Sequence, residues 1–260
     1  VTTTIAFAGK GGTGKTTLAA LLIRHLMEGT GGSILAIDAD PASNLHLVLG
    51  TELGSTVGDI RENMLDKVQS SAALASSLPG GMSKRDYLDY EVQMALVENE
   101  RVDTIAMGRP EGPGCYCAAN QMLRVILDRI AGSYDYVVVD NEAGMEHLSR
   151  RTTRDVDVLI LVSDPIQRGL VAAKQMADMV PGLDIGVERT YLVVNRVRGE
   201  LPAPLAETID EFGLELLGAV PEDPQLAEFE ITGRPLAELP AETPVYRAVQ
   251  ELAARVLQPV

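Results

Sequence analysis

The stretch Gly9-Lys10-Gly11-Gly12-Thr13-Gly14-Lys15-Thr16-Thr17 constrains this 260-residue chain more than any other. It meets G-x-x-x-x-G-K-[ST] at every defined position. The apolar run Thr3–Ala8 precedes it, and Lys15–Gly29 follows with apolar residues at helical spacing. A strand that turns through glycines into a helix aims several backbone N–H groups at one point. The helix N-terminus adds positive potential there, so the arrangement suits a phosphate. Lys15 is placed to reach the β- and γ-phosphates of a nucleotide and the Thr16 hydroxyl to ligate Mg²⁺, with Gly9, Gly11, Gly12, Thr13, Gly14 and Thr17 completing the cradle.

Further apolar runs at 33–38, 102–108, 134–140, 157–164, 190–197 and 214–221 read as strands. Between them lie helical patterns at 120–132, 169–180 and 246–257, with short helices at 56–65 and 84–97. Strands apolar throughout and alternating with helices predict one α/β domain over 1–260, a P-loop NTPase. Its mostly parallel sheet of about seven strands is flanked by helices on both faces. No repeat or linker divides the chain.

Two aspartate stretches follow strands. In "ILAIDADPASNL", Asp38 and Asp40 stand at i and i+2 and share one side of an extended chain. At the carboxyl edge of a parallel strand they face the ligand crevice. Asp40 is a candidate to orient attacking water and Asp38 to hold the magnesium shell; either alone also suits a helix cap. "YDYVVVDNEAGME" ends a hydrophobic strand in Asp140, a second magnesium candidate acting through water. Gly144 then provides a hinge.

The loop resembles the deviant "GKGGxGKT" form of a class of ATPases. That class includes the nitrogenase iron protein, septum-positioning and plasmid-partition ATPases, and metal-cluster maturation ATPases. The resemblance implies that Lys10 reaches across a homodimer to the other subunit's phosphates. It makes Asp40 the water-activating residue of a first switch that includes Asn44, and Asp140 to Gly144 the second. It also brings Asn195 and the turn around Pro221 and Asp223 to the adenine, although a capping asparagine and an ordinary proline turn fit those positions too.

Cys115 and Cys117, the only cysteines, sit in "GPGCYCAAN". A disulfide between them would close a small, strained ring. Buried structural thiols are one reading, but Gly112, Pro113 and Gly114 favour an exposed loop. Two thiolates are half of a closed metal site, and two-fold symmetry would complete it. "GRPEGPGCYCAAN", "DNEAGMEHLSRRT" and the deviant loop together resemble the ATPases that assist nickel insertion into carbon monoxide dehydrogenase. That resemblance implies an ATP/ADP- and Mg²⁺-dependent homodimer carrying Ni²⁺, with Zn²⁺ possible in vitro, for carbon monoxide dehydrogenase or acetyl-CoA synthase. An iron–sulfur redox ATPase and a positioning ATPase are the competing classes.

A net charge of −15 disfavours nucleic acid and anionic membrane. The chain shows no apolar run of membrane-spanning length and no signal-peptide pattern, and two cysteines make no disulfide framework. A cytoplasmic location is the expectation.

Overall fold

The computed structural model describes residues 2–70, 82–108, 117–144, 155–182 and 186–258, with side chains except at 65–70 and 117–121. The strands are β1 (Thr3–Gly9), β2 (Ile34–Ala39), β3 (Val102–Ala106), β4 (Tyr136–Asn141), β5 (Asp155–Ser163), β6 (Gly186–Val197) and β7 (Leu216–Pro221). They form a seven-stranded sheet in the order β3-β2-β4-β1-β5-β6-β7, every neighbouring pair parallel. The expected architecture is therefore the observed one.

Between the strands come α1 (Lys15–Gly29), α2 (Leu45–Leu49), α3 (Val57–Ser70), α4 (Lys84–Ala95) and α5 (Cys117–Ala131). After β5 follow α6 (Gln167–Met179), α7 (Ala203–Glu211), α8 (Pro224–Thr232) and α9 (Pro244–Val256). Side chains alternate across each strand, so β1 feeds two cores at once. Ile5 and Phe7 pack with Leu18, Leu22, Phe229 and Val249 of α1, α8 and α9. Ala6 and Ala8 belong to the opposite layer, with Leu88, Leu127, Leu170 and Ile209 of α4 to α7. Fully burying each large apolar side chain contributes about 1.5–3 kcal/mol, which explains why the central strands carry almost nothing polar.

Some boundaries differ from the sequence reading. β3 ends at Ala106 rather than 108 and β6 begins at Gly186 rather than 190. The helices α2, α7 and α8 were not expected. α7 and α8 each open on a proline-containing first turn, and Asp223 caps α8. α5 begins three residues early, so Cys117 opens a helix. Cys115 lies outside the described residues.

β1 sits where the strand order reverses. The chain leaves β1 to build β2 and β3 on one side, and crosses from β4 past β1 to β5 on the other. This is the crevice that open α/β sheets use for ligands, and the glycine loop emerges from it.

Candidate functional site

The loop 9–14 joins β1 to α1 with Gly12 at φ +80° and Gly14 at φ +90°. Gly14 has a second reason to lack a side chain: a Cβ there would stand 2.4 Å from Asn195 Nδ2. α1 starts without a side-chain cap and with no acidic residue in its first turn. Its first N–H groups are thus left for an anion. Three donors of the loop and of the start of α1 converge on one acceptor, the Lys10 carbonyl. It accepts from Thr13 Oγ1 at 2.9 Å, Thr13 N–H at 3.4 Å and Lys15 Nζ at 3.3 Å.

Lys15 is buried, and that burial lowers its pKa against the opposing pull of Asp140, Asp40 and Glu142. Lys10 is exposed at the lip. Thr16 is half-buried beside Asp140. Thr17 is buried and donates to Glu230 Oε1 on α8 at 2.8 Å.

Asp38 and Asp140 are register partners on adjacent strands, so their carboxylates face the loop side by side. Burial raises the pKa of both. Asp38 is compensated by the chain itself: Oδ1 accepts from Asp40 N–H at 3.1 Å and Oδ2 from Leu45 N–H at 2.8 Å. It anchors the segment that carries Asp40 and opens α2. Asp40 is half-buried, its Oδ1 accepting from Ala42 N–H at 2.8 Å. Asn44 is exposed and precedes α2 as its N-terminal flanking residue. Ser43 between them has φ +48°, a conformation rare outside glycine.

Asp140 has no such backbone donors, only the Thr16 hydroxyl and the Lys15 ammonium nearby. It is 1% exposed, and neither carboxylate oxygen has a hydrogen-bond partner among the described residues. Burial pushes its pKa up to about 7, eased by Thr16 and Lys15 and reinforced by Asp38 and Asp40. A buried carboxylate with both oxygens short of partners, beside a hydroxyl and a phosphate loop, fits a hard divalent cation with oxygen ligands. Thr16 and Asp140 are the residues that would hold Mg²⁺, Asp140 through a water.

β4 ends at Asn141, whose Nδ2 donates to Phe7 O at 2.8 Å and ties this end of β4 to β1. Gly144, at φ +104°, donates its N–H to Gly9 O at 3.3 Å. The segment 140–144 therefore rests directly on the loop. Glu146, His147, Arg150 and Arg151, the charges in "DNEAGMEHLSRRT" suited by sequence to a dimer or partner contact, lie outside the described residues.

Of the residues the sequence offered for the adenine, Asn195 is buried near the end of β6, and its Nδ2 donates to Thr13 O at 2.8 Å. Pro221 closes β7. Asp223 is buried; Oδ1 accepts from Gln225 and Leu226 N–H and Oδ2 from Val245 N–H at 3.2 Å, capping α8 and tying it to α9. Two contacts escaped the sequence reading: Thr17 to Glu230, and Arg196 to the Gly12 carbonyl. The first joins residues 213 positions apart, and nothing local signals it.

Among the described residues no three His, Cys, Asp or Glu side chains cluster as a metal site, and no helix is long and apolar enough to cross a membrane. The Cys115–Cys117 pair falls outside that statement.

Residues 4–236 match the model of the CobQ/CobB/MinD/ParA nucleotide binding domain. An ATP-binding protein of Methanocaldococcus jannaschii is 44% identical over 253 residues, 97% of this chain and 98% of its own length. The carbon monoxide dehydrogenase accessory protein CooC of Rhodospirillum rubrum is 29% identical over 226 residues, covering 84% of this chain and 83% of its own. In structure, the septum site-determining protein MinD of Pyrococcus horikoshii, solved with Mg-ADP, superposes with a TM-score of 0.68 at 22% identity, covering 99% and 97%. The loop, the paired aspartates and the family match agree, and this chain belongs to the CobQ/CobB/MinD/ParA family of P-loop nucleotide-binding ATPases.

Proposed function

We propose that the chain is a homodimeric, ATP-hydrolysing metallochaperone that carries nickel as cargo on Cys115 and Cys117 of both subunits. It would deliver the metal during maturation of carbon monoxide dehydrogenase or acetyl-CoA synthase. The observation carrying this reading is the C-x-C pair of the sequence, whose second cysteine opens α5, in a chain that resembles a carbon monoxide dehydrogenase accessory protein along most of its length.

In this reading ATP closes the dimer, and Lys10 of each subunit reaches the phosphates held by the other. Lys15 leaves the Lys10 carbonyl for the β- and γ-phosphates. Mg²⁺, held by Thr16 and Asp140, would offset phosphate charge. Asp40, fixed by Asp38 and Ala42, orients the attacking water. Release of the γ-phosphate frees the 140–144 segment from the loop, separates the thiolate pairs and lowers nickel affinity. Free thiols require a reducing compartment such as the cytoplasm.

The test is metal quantitation against protein. Wild type should hold about 0.5 nickel per chain, as a two-fold site requires. Replacing both cysteines with serine should abolish that binding while Mg-ATP binding persists. Full stoichiometry in the double variant would refute the cysteine assignment.

The family also contains MinD and ParA, so a positioning ATPase is the second reading. It requires an ATP-dependent hold on lipid or DNA, which a net charge of −15 opposes. Pelleting with anionic vesicles or DNA in ATP would favour it over the nickel reading.

A further inference from the structure

At residues 195–196 the pairing of β6 with β7 slips, between Val194 and Val197. Arg196 takes φ +58°, a conformation L-residues other than glycine rarely adopt. Its own N–H donates to Asn195 Oδ1 at 2.9 Å, which fixes the bulge. The consequence is that two consecutive side chains both reach the phosphate loop instead of alternating across the sheet. Asn195 Nδ2 holds Thr13 O at 2.8 Å, and Arg196 Nη1 holds Gly12 O at 2.7 Å. Beyond β5, Asp164 Oδ1 lies 3.9 Å from the same guanidinium and steadies its charge.

Those two carbonyls are consecutive, and that decides what the contacts accomplish. No peptide in the described chain is cis. In a trans peptide the C=O and N–H point opposite ways. Holding the Gly12 and Thr13 carbonyls outward therefore turns the Thr13 and Gly14 N–H groups inward, where a phosphate would lie. The Thr13 N–H does point inward, onto Lys10 O at 3.4 Å.

The arm does little for the fold. The Arg196 side chain is 47% exposed and Gly12 is exposed, so removing the contact opens no core cavity. A strained backbone kept for an exposed contact is characteristic of functional sites.

We infer that Arg196 is a positioning residue of the phosphate loop, holding the Gly12 carbonyl outward so that the loop's N–H groups are set for the nucleotide before it arrives. This rests on the loop binding nucleotide phosphates and is independent of the cargo metal.

Arg196→Gly is the decisive variant because it removes the arm and relieves the backbone together. Its melting temperature should equal or exceed wild type. Its Kd for Mg-ATP and Mg-ADP should rise about 10-fold, with KM rising in parallel and kcat within about threefold, the pattern of an interaction felt equally by ground and transition states. Arg196→Lys keeps a cationic donor and should recover most of the affinity. Wild-type affinity in Arg196→Gly would overturn the inference. So would a fall in kcat at unchanged Kd, which would make Arg196 a catalytic residue, or a lysine variant no better than glycine. Failure of the wild type itself to bind Mg-ATP would instead overturn the reading of the loop.

Discussion

Replacing Asp140 with asparagine should make the nucleotide-free protein more stable above neutral pH and less able to hold Mg-nucleotide. The carboxyl pKa stands at about 7 instead of the ordinary 3.8, because burial disfavours its charged form. At ~1.4 kcal/mol per pH unit, that difference amounts to about 4 kcal/mol between the two protonation states. Below about pH 4 the group is protonated in both folded and unfolded chains and contributes nothing. Between about pH 4 and 7 the unfolded chain loses the proton while the folded one keeps it, so stability falls as pH rises. Above about pH 7 the full penalty is present. Asparagine removes the charge but leaves an amide short of partners, at a cost of about 1–3 kcal/mol. The variant should therefore exceed wild type by about 1–3 kcal/mol at about pH 8.5. Urea unfolding of both proteins in EDTA, at about pH 5 and pH 8.5, brings out the effect, since titrations that Asp140 does not influence cancel in the difference. That difference should grow by about 3 kcal/mol toward the alkaline side. In the same variant Mg-ADP affinity should fall about 10- to 100-fold, as loss of an outer-sphere metal partner does. A stability difference that does not change with pH, or a variant less stable than wild type at the alkaline end, would refute the assignment of Asp140 as an uncompensated buried charge.

Gly14→Ala meets both a φ of +90° and a Cβ placed 2.4 Å from Asn195 Nδ2. Strain and a lost hydrogen bond together should weaken Mg-ADP binding about 100-fold by calorimetric titration, with the fold intact by circular dichroism. Tyr246 donates to Glu28 Oε2 at 2.6 Å and carries the Arg24 guanidinium 4.1 Å above its ring, joining α9 to α1. Tyr246→Phe should lower unfolding stability by about 1–2 kcal/mol without changing nucleotide affinity. Glu230→Gln keeps an acceptor for Thr17 while removing a negative charge near the phosphate loop. It should tighten Mg-ADP binding by about two- to fivefold, a modest and salt-dependent gain because Glu230 is exposed.

The sheet was legible because its physics is local. Strands such as Ile34–Ala39 and Tyr136–Asn141 are apolar on both faces, and only a doubly covered parallel sheet needs that. The glycine loop was legible for a related reason: a backbone that cradles phosphate tolerates few alternatives at Gly12 and Gly14. Asp38, Asp40 and Asp140 announced themselves as acids at the ends of apolar strands. Their division of labour did not. Nothing in "DAD" says that Asp38 spends both oxygens on Asp40 and Leu45 N–H groups while Asp140 keeps both of its own unpaired. That difference comes from whether the following backbone folds back over the carboxylate. Asp223 is similar: a Pro turn was visible, but its role as a cap shared by α8 and Val245 depends on a residue 22 positions away. Arg196 was hidden because an exposed arginine near the end of a strand is ordinary, and its backbone conformation is set by a slip in pairing that periodicity does not encode.

These observations join at Lys15. Its ammonium is the buried cation of the loop, with Asp140, Asp40 and Glu142 all acting on it. Asp38 and Asp40 in turn act on Asp140. One ammonium among these carboxylates leaves the floor of the site negative, the wrong sign for a polyphosphate. The resting arrangement answers part of that charge by keeping Asp140 close to protonation and by parking Lys15 on the Lys10 carbonyl. A nucleotide arriving without a cation would add negative charge to a site short of positive charge. A nucleotide arriving with Mg²⁺ brings the partner that the Asp140 oxygens lack, and lets Lys15 turn from a neutral carbonyl to phosphate. Nucleotide and magnesium should therefore be strongly cooperative ligands of this loop. The segment that would register their arrival is the one beginning at Asp140, already in contact with the loop through Gly144 and Gly9.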